Sequence, residues 1–167
     1  LQFVHRTFNG DDLRVFIKCL RNIYKKHGGM EKIFANGSTI DSMQPAISEF
    51  KRVFFSVDHL ERTEKHVSDP EKGSSAKRLN MMLRWFVRYD NRGVDFGIWK
   101  NIQPAQLVCP LDVHVLRTAK ALHLIEVEKS DWKTALMLTS QLKKIDPLDP
   151  VKYDIALFGW GVSGQPY

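Results

Sequence analysis

Lys77 and Asp112 are the residues whose type and position point to chemistry: Lys77 stands in "GSSAKRL" and Asp112 in "CPLDVHV". Each belongs to the start of an expected helix. A helix start presents unbonded backbone N–H groups and a positive partial charge. It is a ready seat for phosphate. It also disfavours the charged form of a nearby amine, and so favours a nucleophile. Both residues have plainer uses. Aspartate is a strong helix cap, accepting hydrogen bonds from the first free N–H groups. A lysine in a first turn commonly stands in solvent or against phosphate. Residue type and spacing leave both uses open.

The elements that must position these two residues read as helices throughout. Asn9 is placed to cap a first helix, with Asp11 and Asp12 at its positive end and an apolar stripe of Leu13, Phe16, Ile17, Leu20 and Tyr24. Gly28 and Gly29 stop it. A short helix over Glu31 to Phe34 and a turn at "NGSTID" follow. Ser42 is then the expected cap of a helix with Pro45 in its first turn and Ile47, Phe50, Val53 and Phe54 inward. The polar stretch 58–73 reads as a short helix and a loop. Ser74 or Ser75 is the expected cap of the helix that carries Lys77, with Leu79, Met82, Leu83, Phe86 and Val87 as its apolar face.

"NRGVDFGIWKNIQPAQLVCP" has no helical period, and a connection this long is commonly functional or mobile. Beyond Asp112, Val113, Leu116, Ala119 and Leu122 or His123 recur at helical spacing. A further helix opens at Ser130 and Asp131, with Trp132, Ala135, Leu136, Leu142 and Ile145 inward. Asp149 and Pro150 are placed to begin a last helix ending at the glycines of "FGWGVSG". No alternating strand pattern stands out, so the fold class is all-α. The expected layout is one domain over 1–167, with a hairpin–helix core at about 58–125 and C-terminal helices at about 130–162.

"GSSAKRLNMMLRWF", the long loop and "CPLDVHVLRTAKALHLI" together resemble the core of the helix-hairpin-helix DNA glycosylases, the endonuclease III and oxoguanine glycosylase superfamily. The resemblance puts Gly73, Ser74 and Ser75 on that superfamily's hairpin, Lys77 on its lysine and Asp112 on its aspartate; His114 and Arg117 match the residues after the aspartate. The hairpin keeps one glycine where the superfamily has two. Over nearly the whole chain, "HRTFNGDDL", "AKRLNMMLRW", "DNRGVDFGIW" and "DPVKYD" resemble an uncharacterised bacterial family. That family usually carries a further helical segment upstream, so the resemblance implies a missing one before Leu1.

The resemblance implies a base-excision activity with a lysine Schiff base, acting on an oxidised purine nucleotide in DNA. Lys77 and Asp112 would be catalytic. Gly73, Ser74, Ser75 and Arg78 would hold DNA, and Lys72, Arg84 and Arg88 are further candidates for a backbone-binding face. Flipped bases are commonly sandwiched by aromatic side chains, which makes Trp99 and Trp160 candidate pocket residues; Trp85 and Phe86, at helical spacing, read as core. Two other readings stand beside this one: a non-catalytic helical module that binds DNA or RNA backbone, and a protein-interaction domain.

The bulk properties permit all three. A net charge of +6 allows a polyanionic partner without demanding one. The two cysteines, Cys19 and Cys109, form no ligand cluster, so no metal and no cofactor is expected. Reduced thiols, and no apolar run of about 18 residues, point to a cytoplasmic protein without a membrane span.

Overall fold

A computed structural model describes residues 3–39 and 42–163. Seven α-helices appear among them: α1 (Gly10–Lys26), α2 (Met30–Gly37), α3 (Gln44–Phe54), α4 (Lys77–Val87), α5 (Val113–Ala121), α6 (Trp132–Ile145) and α7 (Asp154–Ser163). Short 3-10 turns at Glu61–His66, Pro70–Lys72, Pro104–Gln106 and Pro150–Tyr153 join them. The fold is all-α. Its one departure is a two-residue-per-strand hairpin, β1 (Val4–His5) and β2 (Phe8–Asn9), paired antiparallel. Two residues per strand are too few to show an alternating pattern. Among the described residues, no helix is long and apolar enough to cross a membrane.

The buried apolar side chains form one contiguous cluster to which every helix contributes, from Val15 on α1 through Ile33, Ile47, Leu83, Val115 and Leu138 to Leu157 on α7. α2 packs on α3, and α5 packs on α7. Gly161 makes the second crossing close: a Cβ there would stand 2.5 Å from the His114 carbonyl oxygen and 2.8 Å from Thr118 Oγ1.

The apolar periodicity marks most of the buried faces: Ile47, Phe50, Val53 and Phe54 on α3, Leu116 and Ala119 on α5, and Trp132, Ala135 and Leu142 on α6 are buried as expected, and the departures are at single positions. On α1 the buried residues are Gly10, Asp12, Val15, Cys19 and Ile23, Phe16 and Leu20 pack half-buried against the core, and Ile17 and Tyr24 stand exposed. The helix rotates because Asp12 is drawn inward by two partners far along the chain: Thr63 Oγ1 donates to its Oδ1 at 2.7 Å and Arg62 Nη1 to its Oδ2 at 3.2 Å. On α5, Val113 is exposed and Val115 buried; on α6, Leu136 and Ile145 are exposed and Leu138 buried.

The caps also differ in part. Asn9 caps α1 in a reciprocal capping box with Asp12, and Asp131 caps α6. α3 starts after Met43, with the Ser42 hydroxyl accepting from the Gln44 N–H. α2 runs three residues past the expected Phe34, through the start of the expected turn; the Ile40 and Asp41 part of that turn lies outside the described residues. Asp149 caps nothing by its side chain, because both of its oxygens go to Arg88. α7 therefore starts at Asp154, and it continues through Gly159 and Gly161 instead of stopping there. The closing Gly164 of the expected stop lies outside the described residues.

Candidate functional site

The start of α4 is held by backbone, not by a side-chain cap. Gly73 takes φ +83°, Trp132 N–H donates to the Gly73 carbonyl at 3.1 Å, and Ser74 bridges to Asp131. The residue before the helix is Ala76, in the left-handed region at φ 48°, and it offers no capping oxygen. Neither Ser74 nor Ser75 caps α4, contrary to expectation. Ser74 Oγ accepts from the Ala76 N–H, and Ser75 Oγ donates to the Leu111 carbonyl at 3.3 Å. The second bond joins the residues just before the two helix starts, 36 positions apart, and so carries Lys77 to Asp112.

Asp112 divides its carboxylate between two tasks. Oδ1 accepts from the His114 N–H at 2.9 Å and the Val115 N–H at 3.0 Å, capping α5. Oδ2 lies 3.4 Å from Lys77 Nζ. Both side chains remain partly open to solvent, 21% and 34% exposed. The pair sits on a cavity of about 180 Å³ whose walls are Met81 and Trp85 from α4, Pro110, Val115 from α5, and Ile155 and Phe158 from α7. Lys77 Nζ stands 5.9 Å from the Phe158 ring centroid. The cavity is smaller than the roughly 300–1,000 Å³ of drug-sized ligand pockets, and admits one small ring. His114 supports the start of α5 from behind, its Nδ1 3.3 Å from the Gly161 carbonyl and its ring edge-on to Phe158.

The inner end of the cavity carries Arg84 and Asp154. They belong to a buried network: Arg84 pairs with Asp154 and Asp95, and Arg88 with Asp95 and Asp149. Two guanidinium groups thus face three carboxylates. Burial pushes the Asp154 carboxyl up to about 6; the Arg84 pairing opposes this and the nearby Asp95 charge adds to it. Burial outweighs the Arg84 contact, because one uncompensated negative charge remains in the network whenever all three carboxylates are ionised.

The expected site residues thus part company. Lys77 and Asp112 share one concave site. Arg78 follows Lys77 but is exposed, and it lines a different groove. Gly73 is exposed at the hairpin. Trp99 is 8% exposed, packed against Phe34 and Phe86, and does not line the cavity. Trp160 is exposed on α7 and lies off the cavity wall too. Arg84 and Arg88 are buried in the ion network and form no open backbone-binding face. Lys72 is exposed beside a groove that mixes both signs of charge, and Arg117 lines a shallow groove on the outer side of α5. Trp85, read as core, is 37% exposed and forms a cavity wall.

Asp154 and Phe158 were not singled out from the sequence. Their signal was there: a lone carboxylate opening an apolar helix, with an aromatic four residues on, on the same helical face. Among the described residues no group of three or more His, Cys, Asp or Glu side chains is arranged to hold a metal ion.

Residues 1–163 match the model of the family described as "Protein of unknown function (DUF2400)". No curated protein and no solved structure matches the chain.

Proposed function

We propose that this chain, which belongs to the DUF2400 family, is a DNA base-excision protein: a glycosylase with an associated lyase step on an oxidised purine nucleotide. The observation that carries the reading is the Lys77–Asp112 pair. One carboxylate oxygen is spent on the helix cap, and the other lies 3.4 Å from Lys77, the only lysine among the described residues on an aromatic-walled cavity. The resemblance to the glycosylase superfamily supplies the substrate class.

The chemistry asks for these groups in this arrangement. A base must leave the duplex stack before it can be cut, at a cost of a few kcal/mol. Trp85 and Phe158 offer apolar walls to receive it. Lys77, after giving its ammonium proton to solvent, attacks the sugar C1′; the C1′–base bond breaks and its electron pair leaves with the base. The new nitrogen–carbon bond leaves a proton to shed, which the departing base takes up. Ring opening then moves the C1′–O4′ pair onto oxygen, which takes a proton from solvent, as the nitrogen lone pair forms the protonated imine. The transition state carries positive charge at the sugar. Asp112 Oδ2, held by a carboxylate already fixed to α5, needs no reorganisation to stabilise that charge.

Borohydride reduction tests the reading, because it turns a lysine Schiff base into a permanent crosslink. Duplexes carrying oxidised purines should be trapped by the chain, and Lys77→Gln should abolish the crosslink while leaving most DNA affinity intact. If a panel of lesions gives neither crosslink nor base release, Asp112 is a helix cap and the protein is not a base-excision enzyme.

A further inference from the structure

A groove of about 770 Å³ lies between the N-terminal hairpin and α4. Its ionisable lining is His5, Arg6, Lys65, His66 and Arg78, and no carboxylate lines it. The other broad groove, about 650 Å³ at α3, is different in kind: Lys51, Arg52 and Lys72 there meet Glu49, Glu64, Asp69 and Glu71. Among the described residues, Arg6, Lys65 and Arg78 make no ion pair, and all three are exposed. The acid behind His66, Asp12, is fully buried and already accepts from Arg62, Thr63 and the Asn9 N–H.

Two features describe the wall and the rim of the groove. His66 is nine-tenths buried in the groove wall, its ring edge-on to Phe8 and Phe16 at 4.9 and 6.4 Å, with Nε2 turned inward 3.5 Å from the buried Asp12 Oδ2. Arg6 occupies the two-residue turn between β1 and β2 at φ 56°. That region favours Gly or Asn in such a turn. Arg6 thus presents its guanidinium at the tip of the hairpin, exposed on the rim of the groove.

We propose that this groove seats the phosphodiester backbone of duplex DNA, with Arg6, Lys65 and Arg78 as the phosphate-contacting residues. The proposal rests on the base-excision reading and deepens it. Arg78 adjoins Lys77 on α4, so a strand held in the groove is tethered to the helix that bears the amine. The N-terminal hairpin, which has no part in the Lys77–Asp112 cavity, then acts as a clamp on the flanking duplex.

The test is fluorescence anisotropy of the chain with an undamaged 20-base-pair duplex over a range of salt concentrations. The variant Arg6→Gln/Lys65→Gln/Arg78→Gln is set against Lys18→Gln/Arg21→Gln/Lys133→Gln. Both remove three exposed positive charges, so both carry net charge +3 instead of +6. Each lost phosphate contact lowers the slope of log affinity against log salt by about 0.9. The groove variant should therefore lose about 2.7 from the slope, and the control much less. Arg6→Lys/Arg78→Lys should keep most of it. Equal losses in the two triple variants would overturn the proposal. So would displacement of the duplex by inorganic phosphate at matched ionic strength, which would make the groove a small-anion site, or a wild-type chain that binds no duplex. Borohydride trapping separates this from the parent reading. Groove-dependent binding without trapping sinks the lyase step alone; trapping with affinity untouched in the groove variant sinks the groove alone.

Discussion

Replacing each of two glycines of α7 by alanine should move stability in opposite directions. Gly159 and Gly161 both sit inside the helix, where glycine costs about 1 kcal/mol relative to alanine. At Gly159 a Cβ meets nothing within 4 Å, so Gly159→Ala should stabilise by roughly that amount. At Gly161 the added carbon would stand 2.5 Å from the His114 carbonyl oxygen and 2.9 Å from its carbonyl carbon. These are backbone atoms of α5 and cannot swing away, so the helices must part. Overpacking of this kind costs about 1–3 kcal/mol. The helix-propensity gain is common to both variants. The difference between them is therefore the crossing alone, about 1–3 kcal/mol, with Gly161→Ala the less stable. For a chain of this size that is a melting difference of roughly 2–12 °C. Urea denaturation of the two variants in parallel measures it. Midpoints equal within error would refute the close crossing, and with it the account of how Phe158 is held against the start of α5. Since the crossing also seats Phe158 beside Lys77, Gly161→Ala should lose borohydride trapping out of proportion to its stability.

Asp112→Asn should keep stability within about 0.5 kcal/mol, since Asn caps nearly as well as Asp, whereas Asp112→Ala should lose about 0.5–2 kcal/mol; denaturation curves decide between them. Under the proposed chemistry Asp112→Asn should still slow base release about a hundredfold or more, read in single-turnover assays, because it removes the charge facing the sugar. Asp154 should give stability an inverted pH dependence. Its folded pKa of about 6 lies above the unfolded value near 3.9. The folded state then binds more protons between those values, so this contribution is present below about pH 4 and lost as pH rises to about 6. The gap spans about 2 pH units, or on the order of 3 kcal/mol. Asp154→Asn has no such group, so its stability relative to wild type should rise across that window; a flat difference would show that Arg84 holds Asp154 ionised throughout.

Local signals in the sequence located the helices, because caps and breakers act over a few residues. Asn9, Asp112 and Asp131 accept from N–H groups two or three positions on, and Gly28 and Gly29 turn the chain where they stand. The two helix starts that carry Lys77 and Asp112 were legible; that they stand side by side was implied by the resemblance to the glycosylase superfamily and not by residue spacing. The apolar faces of α3 to α6 were largely legible; where a helix departs from its stripe, the departure was not, because partners far away in sequence decide it. Asp12 turned α1 inward to meet Thr63, 51 residues on, against the pull of Ile17 and Tyr24. Asp149 left its expected cap for Arg88, 61 residues back, because a buried guanidinium without a counter-charge costs more than an unmade cap. Trp85 and Trp99 trade the places that the sequence suggests, core for Trp85 and pocket for Trp99. Their separation into cavity wall and core came from the long loop, which follows α4 back and fastens Phe96 N–H to the Trp85 carbonyl and Trp99 N–H to the Phe86 carbonyl. Helix starts are properties of the chain a few residues at a time; faces, cavities and charge networks belong to the packed whole, where desolvation sets what each polar group must find.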